Sequence, residues 1–166
     1  DGIRDDLVTG VQTCALPISI NAQFQIIAFN TEAQPVLADK QNVWLEVADA
    51  KVLKSATDAL RERLPSGGTS LHKAFDAVTA LPGTPDNIFL ITDGLPTQGD
   101  APPRKTTISG RDRLELFRGA VRRLPPGVPV NIVLAPMEGD PMAASEFWQL
   151  AQVTGGSFMS PSKDWP

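Results

Sequence analysis

Two residues with oxygen-bearing side chains, Asp93 and Thr69, lie in loops where proteins with a parallel sheet often bind their ligands. Asp93 directly follows the apolar run NIFLIT, and Thr69 lies in the glycine-flanked segment SGGTS, ahead of a helical pattern. Parallel sheets bind ligands beyond the carboxyl ends of their strands, so both residues would face such a crevice. A hydroxyl and a carboxylate are hard ligands, suited to Mg²⁺ or Ca²⁺. On residue types alone, Thr69 could equally cap the next helix, and Asp93 with Gly94 could form a simple turn.

Hydrophobic periodicity predicts the elements that position these residues. Apolar runs predict strands over 24–30, 34–38, 87–94, 128–136 and 156–161. Helical spacing predicts helices over 49–64, 70–81 and 111–123, and a fourth that starts at Asp140 and Pro141 with an oxygen cap and ends at Gly155 and Gly156. The continuous run over 87–94 predicts a strand buried on both faces. Alternating strands and helices predict an α/β fold with a mostly parallel sheet.

Composition limits the classes of protein. The chain has 166 residues, a net charge of -4, 42% hydrophobic and 20% charged residues, which fits one globular domain. Mild acidity argues against nucleic-acid binding, and the basic group Arg104, Lys105, Arg111 and Arg113 is predicted to be solvated. No apolar run approaches the roughly 20 residues that span a bilayer, so no membrane-spanning segment is predicted.

The opening stretch, DGIRDDLVTGVQTCALPIS, resembles a translated sequencing adapter. We therefore expect residues 1–19 to be an assembly artefact and residues 20–166 to be the native domain, with little native-like contact between the two. Cys14 is the only cysteine and falls inside this stretch. On that interpretation the native part has neither disulfide nor thiolate chemistry.

The order of the segments FQIIAFN, SGGTSL, NIFLITDGLPT, VNIVLAP and TGGSF resembles the von Willebrand factor type A (VWA) domain, across about residues 22–162. The resemblance implies a Rossmann-like three-layer fold. The family's metal-ion-dependent adhesion site combines an Asp-x-Ser-x-Ser loop after the first strand, a threonine in a second loop and an aspartate after the fourth strand. Thr69 matches the second part and Asp93 the third. No Asp-x-Ser-x-Ser occurs in the chain.

The resemblance therefore implies a VWA domain whose first strand and first helix are missing, with the missing strand placed centrally, between FQIIAFN and NIFLITDG. For the intact parent it implies a cation-dependent protein-binding module that is not a catalyst. The cofactor would be Mg²⁺, or Mn²⁺ or Ca²⁺, and a partner's Asp or Glu carboxylate would complete the metal's coordination. Thr69 and Asp93 alone should bind the cation weakly, because Mg²⁺ demands near-octahedral oxygen coordination.

Two alternatives stay open: a structural α/β domain without metal, and a metal-dependent phosphate-processing enzyme that uses Asp93. The enzyme would need a second carboxylate, and none follows Asp93 before Asp100. The chain lacks the Gly-x-Ser-x-Gly turn of a serine hydrolase, and such an enzyme would depend on His72, the only histidine, which is predicted to be exposed. The chain also lacks the Gly-x-Gly-x-x-Gly turn that binds dinucleotides. Trp148 and Trp165 are predicted to be packing aromatics.

Overall fold

The computed structural model of the chain describes residues 22–64, 66–103, 107–135 and 139–161. Strands and helices alternate through most of this part. No helix in these ranges is both long enough and apolar enough to cross a membrane. The elements, in chain order, are β1 (Gln23–Phe24), β2 (Ile27–Phe29), β3 (Ala33–Pro35), a 3-10 turn (Ala38–Lys40), β4 (Leu45–Glu46), α1 (Ala50–Arg61), α2 (Leu71–Thr79), β5 (Ile88–Thr92), α3 (Gly110–Val121), β6 (Val130–Leu134), α4 (Ala143–Thr154) and β7 (Phe158–Met159).

A parallel sheet with the order β5-β6-β7 forms the centre of the fold. Ile88 of β5 pairs with Val130 of β6, and Ile132 of β6 pairs with Phe158 of β7. Such parallel neighbours need a crossover, and α3 and α4 supply the two connections. The predicted α/β class with a parallel sheet is confirmed.

The prediction that the strand over 87–94 is buried on both faces is wrong. Ile88, Leu90 and Thr92 are buried, whereas Phe89 is 74% exposed and Ile91 is 69% exposed. Successive side chains of a strand point to opposite faces, so one face of β5 is covered and the other is open among the described residues. The covered face joins one core with residues of α2, α3 and α4, including Leu71, Phe75, Phe117, Ala120, Phe147, Leu150 and Ala151.

The run FQIIAFN forms two short, partly exposed strands rather than one buried strand. Gln25 interrupts it: its side-chain amide donates hydrogen bonds to the carbonyls of Lys40 (3.0 Å) and Val43 (2.7 Å), and its side-chain oxygen accepts from the Ile26 N–H (2.9 Å). β1 then pairs with β4 and β2 with β3, both antiparallel. A strand is present near the one predicted over 34–38: β3 begins one residue earlier, at Ala33, and ends three residues earlier, at Pro35.

A cavity of about 690 Å³ lies among these elements. Its lining includes Phe24, Ile27 and Phe29 of β1 and β2 and Ile88 and Leu90 of β5. Within the described residues β5 pairs only with β6. The existence of a further strand between FQIIAFN and NIFLITDG stays a prediction.

All four predicted helices are present, but their boundaries differ from the prediction, most of all in α1 and α4. α1 begins after Asp49, whose carboxylate accepts from the Lys51 and Val52 amides, but it ends at Arg61, before Leu64. Its predicted apolar face is largely exposed, with Ala56 as the buried member. The predicted oxygen cap of the last helix is wrong as well. α4 begins at Ala143, and the residue before it makes no side-chain cap.

The predicted end of α4 is confirmed, whereas the predicted packing of Trp148 is not. Gly155 adopts the left-handed conformation at φ 74°, which confirms the predicted helix end. Trp148 is exposed, so its predicted packing role is wrong. Trp165 lies outside the described residues.

Candidate functional site

Thr69 does not cap the helix that follows it. The cap is Ser70, whose Oγ accepts from the Lys73 amide (3.3 Å) and donates to the Gly99 carbonyl (2.8 Å). Ser70 is fully buried, and Thr69 before it is partly exposed. The Thr69 hydroxyl makes no hydrogen bond to any described residue. The interpretation of Thr69 as a helix cap is therefore wrong.

Asp93 lies one residue beyond the end of β5, as the sequence predicts. Its side chain is exposed, and its carboxylate forms neither an ion pair nor a hydrogen bond with the described part of the chain. The preceding Thr92 is buried, and its hydroxyl donates to the Gly94 carbonyl (3.2 Å). The strand end is thus held by Thr92, while the Asp93 carboxylate remains open to solvent.

The segment from Asp93 to Gly99, called the 93–99 segment below, connects the two candidate residues. The Thr69 amide donates to Thr97 Oγ1 (2.8 Å), and the Thr69 carbonyl accepts from the amides of Thr97 (2.9 Å) and Gln98 (3.1 Å). The buried Gln98 also donates from its side-chain amide to the Thr31 carbonyl (3.1 Å). The loops after β2 and β5 and the loop before α2 are therefore joined by hydrogen bonds.

Asp140 and Arg113 hold the start of the same segment. Asp140 is only 3% exposed and Arg113 12% exposed at the side chain, with a guanidinium-to-carboxylate distance of 2.7 Å. Asp140 accepts from the Leu95 amide (2.7 Å), and Arg113 donates to the Leu95 carbonyl. A Cβ on Gly94 would lie 2.7 Å from the Asp140 carboxylate, so glycine permits this close approach.

The prediction of a solvated basic group is therefore right for Arg111, which is 89% exposed, and wrong for Arg113. Arg104 and Lys105 lie outside the described residues. Sequence reasoning missed the role of Arg113 because its acidic partner is 27 positions away along the chain. The local signal that was available is Gly94, since a glycine directly after a strand-end aspartate can mark a close approach.

The prediction that His72 is an exposed surface residue is wrong. Its side chain is 13% exposed and lies between two glycines: a Cβ on Gly99 or Gly119 would come within 2.9 or 2.7 Å of its ring nitrogens. Both nitrogens are buried with no hydrogen-bond partner of good geometry among the described residues. Burial, followed by the positive charge of Arg123, holds the pKa of His72 below its ordinary value despite the opposing effect of Asp100.

Asp100, the carboxylate that a phosphate-processing enzyme would need beside Asp93, has another partner. Its two oxygens accept from Arg123 at 2.8 and 2.6 Å. That hydrogen-bonded guanidinium lowers the pKa of the Asp100 carboxyl. Asp100, directly after the 93–99 segment, is therefore engaged in an ion pair with Arg123, two residues beyond the end of α3.

The side chains of Thr69 and Asp93 carry hard oxygen atoms, which suit Mg²⁺, Mn²⁺ or Ca²⁺ by type. In the described ranges no three His, Cys, Asp or Glu side chains group closely enough to hold a metal ion. Two oxygens are well short of the six that Mg²⁺ takes in octahedral geometry. The described residues thus fit a cation in donor type and fall short in number.

Comparison with known proteins gives one match. The family model for the von Willebrand factor type A domain matches residues 5–109 and 106–154. The first span starts inside the stretch 1–19, whose origin stays a prediction. No curated protein and no solved structure matches the chain. VWA domains typically mediate protein interactions, commonly bind a divalent metal and are generally not enzymes. With both matched spans together covering most of its length, the chain belongs to the von Willebrand factor type A domain family.

Proposed function

We propose that this domain is a cation-dependent protein-binding module in which Thr69 and Asp93 are metal ligands. The observation that carries the proposal is the contrast between these two side chains and their neighbours. The neighbouring polar side chains all form hydrogen bonds within the protein; they are those of Ser70, Thr92, Thr97, Gln98 and Asp140. The Thr69 hydroxyl and the Asp93 carboxylate remain without a partner in the described part of the chain.

The cation would be Mg²⁺, or Mn²⁺ or Ca²⁺, held by Thr69 and Asp93 together with water. When bound, it would supply an electrophilic centre with an open position. A protein partner would then offer an Asp or Glu carboxylate to that position. Of the two proposed ligands among the described residues, Asp93 alone is negatively charged, so the cation would keep most of its charge for the partner's carboxylate.

We expect the affinity of the chain itself for Mg²⁺ to be low. The sequence holds no Asp-x-Ser-x-Ser segment, and two ligands are too few for a tight magnesium site. A form of the domain that carries such a segment ahead of β1 should bind Mg²⁺ more tightly. Calorimetric titration of both forms measures the difference in Mg²⁺ affinity. Equally tight binding by the present chain would contradict the proposal that an Asp-x-Ser-x-Ser segment supplies ligands besides Thr69 and Asp93.

The site itself is tested with Mn²⁺, which broadens nearby NMR signals even when it binds weakly. We expect selective broadening of the Thr69 and Asp93 amides, and loss of this effect in Thr69→Val and Asp93→Asn. Asp86→Asn is the matched control, because Asp86 is also exposed but precedes β5, at the opposite end of the strand. Broadening that survives both site variants, or that Asp86→Asn removes equally, would refute the assignment.

The partner chemistry needs a separate measurement. A peptide with a single Glu should bind in Mn²⁺ and lose its binding when EDTA is added or when that Glu is replaced by Gln. Binding that survives EDTA, or that does not distinguish Glu from Gln, would favour the alternative of a structural domain without metal.

A further inference from the structure

Thr97 makes a reciprocal contact with the backbone of Thr69. Its Oγ1 accepts the Thr69 amide at 2.8 Å, and its own amide donates to the Thr69 carbonyl at 2.9 Å. The two residues are 28 positions apart. Both backbone polar groups of Thr69 are therefore satisfied by the 93–99 segment.

Gly68, the residue before Thr69, packs closely against the Thr97 hydroxyl. A Cβ on Gly68 would lie 2.7 Å from Thr97 Oγ1, a distance shorter than atoms in a packed protein adopt. The missing side chain at Gly68 is thus what lets the hydroxyl reach the Thr69 amide. Thr97 is itself partly buried, which protects the hydrogen bond from competition with water.

The position of Thr97 also relates the two candidate metal ligands. Asp93 begins the 93–99 segment, and the buried Asp140–Arg113 pair fixes Leu95 two residues later. Thr97 follows another two residues on and binds Thr69. A short run of chain, held at Leu95 and at Thr97, therefore sets how the Thr69 hydroxyl is placed relative to the Asp93 carboxylate.

We propose that Thr97 is a positioning residue: its hydroxyl fixes the backbone of Thr69 so that the Thr69 side chain faces the same cation as Asp93. This inference rests on the proposed function, because the placement matters to binding only if Thr69 is a ligand. Thr97 itself does not contact the cation. A hydroxyl is required at this position, since valine has the same shape and offers no acceptor.

The test compares Thr97→Val, Thr97→Ser and a control, Thr57→Val, in the full chain. Thr57 is an exposed threonine of α1 whose hydroxyl donates to the Leu53 carbonyl, so the control also removes one hydroxyl hydrogen bond. Two quantities are measured: hydrogen exchange of the Thr69 amide, and the Mn²⁺ concentration that half-broadens the Thr69 and Asp93 signals. Urea midpoints show whether any variant has lost global stability.

We expect Thr97→Val to speed hydrogen exchange of the Thr69 amide. It should also raise the Mn²⁺ concentration that half-broadens the Thr69 and Asp93 signals roughly three- to tenfold, the effect of one lost hydrogen bond. Thr97→Ser, which keeps the acceptor, should restore both values. Thr57→Val should leave both unchanged. Rescue by serine distinguishes positioning by the hydroxyl from a general packing role.

The outcomes separate this inference from the proposed function. Unchanged Thr69 exchange in Thr97→Val would overturn the positioning role, as would Mn²⁺ titrations that are identical in all variants although the unsubstituted chain responds. Faster exchange in Thr97→Val without any Mn²⁺ response in the unsubstituted chain would retain the role of Thr97 in fixing the loop. That result would overturn the proposed cation site instead.

Discussion

Removal of the Asp140 carboxylate should be among the most damaging single changes in the described part of this chain. In Asp140→Ala the Arg113 guanidinium, 12% exposed, loses its ion partner, and the Leu95 amide loses its acceptor. Breaking a buried ion pair by deleting one member typically costs about 3 to 5 kcal/mol. Because domains of this kind have a free energy of unfolding of roughly 5 to 15 kcal/mol, this single change removes a large share of it.

Urea denaturation with a double-mutant cycle tests this magnitude. Arg113→Met added to Asp140→Ala removes the unpaired charge and leaves the Leu95 amide and the Leu95 carbonyl without side-chain partners, at about 1 to 3 kcal/mol for each buried group. The double variant should therefore lose less stability than the sum of the two single variants. Arg111→Met is the matched control, because Arg111 is 89% exposed and its pair with Glu115 spans 3.6 Å at the surface. The control should cost less than about 1 kcal/mol.

Two results would refute this reasoning about Asp140. If Asp140→Ala costs no more than Arg111→Met, the buried pair does not stabilise the fold. If the effects of Asp140→Ala and Arg113→Met simply add, the two side chains do not act as a pair.

Three further predictions follow from other contacts. The folded pKa of His72 is lowered, so the contribution of His72 to stability should be constant above pH of about 6.5 and should fall as the pH drops below it, by at most about 1.4 kcal/mol per pH unit. Urea midpoints at pH 7.5 and 5.5 measure this, and a pH dependence that persists in His72→Gln would contradict the assignment. Gly119→Ala places a Cβ 2.7 Å from the His72 ring and should destabilise by about 1 to 3 kcal/mol. Gly110→Ala meets open space and should be neutral or stabilising by up to about 1 kcal/mol in thermal denaturation; equal effects at the two glycines would count against the packing described. The exposed Phe89 and Ile91 on the open face of β5 should promote self-association, so Phe89→Lys with Ile91→Lys should shift the elution toward monomer, and an unchanged elution profile would be the contrary result.

The sequence by itself determined the order of elements from α1 onward and the loops that carry Thr69 and Asp93. These features are local: strand runs, helical spacing and glycine or proline at the boundaries all act within a few residues. The helix over 70–81 and the strand over 87–94 were found in this way, and the segment order led to the correct family. Helix ends were less accurate. Leu64 has the residue type of a helix face but lies beyond the end of α1 and is 86% exposed. Asp140 has the residue type of a cap, but its carboxylate contacts Arg113 and the Leu95 amide instead.

Only the tertiary structure decided which polar side chains are already engaged. Asp140 contacts Leu95 across 45 positions, and Thr97 contacts Thr69 across 28, distances at which no local pattern carries information. The same holds for Gln25, whose bonds to the carbonyls of Lys40 and Val43 divide a run that looks continuous. Hydrophobic periodicity records which side of an element is apolar. Whether a particular side-chain oxygen forms a hydrogen bond within the protein or stays free for a ligand depends on which backbone groups the fold places beside it.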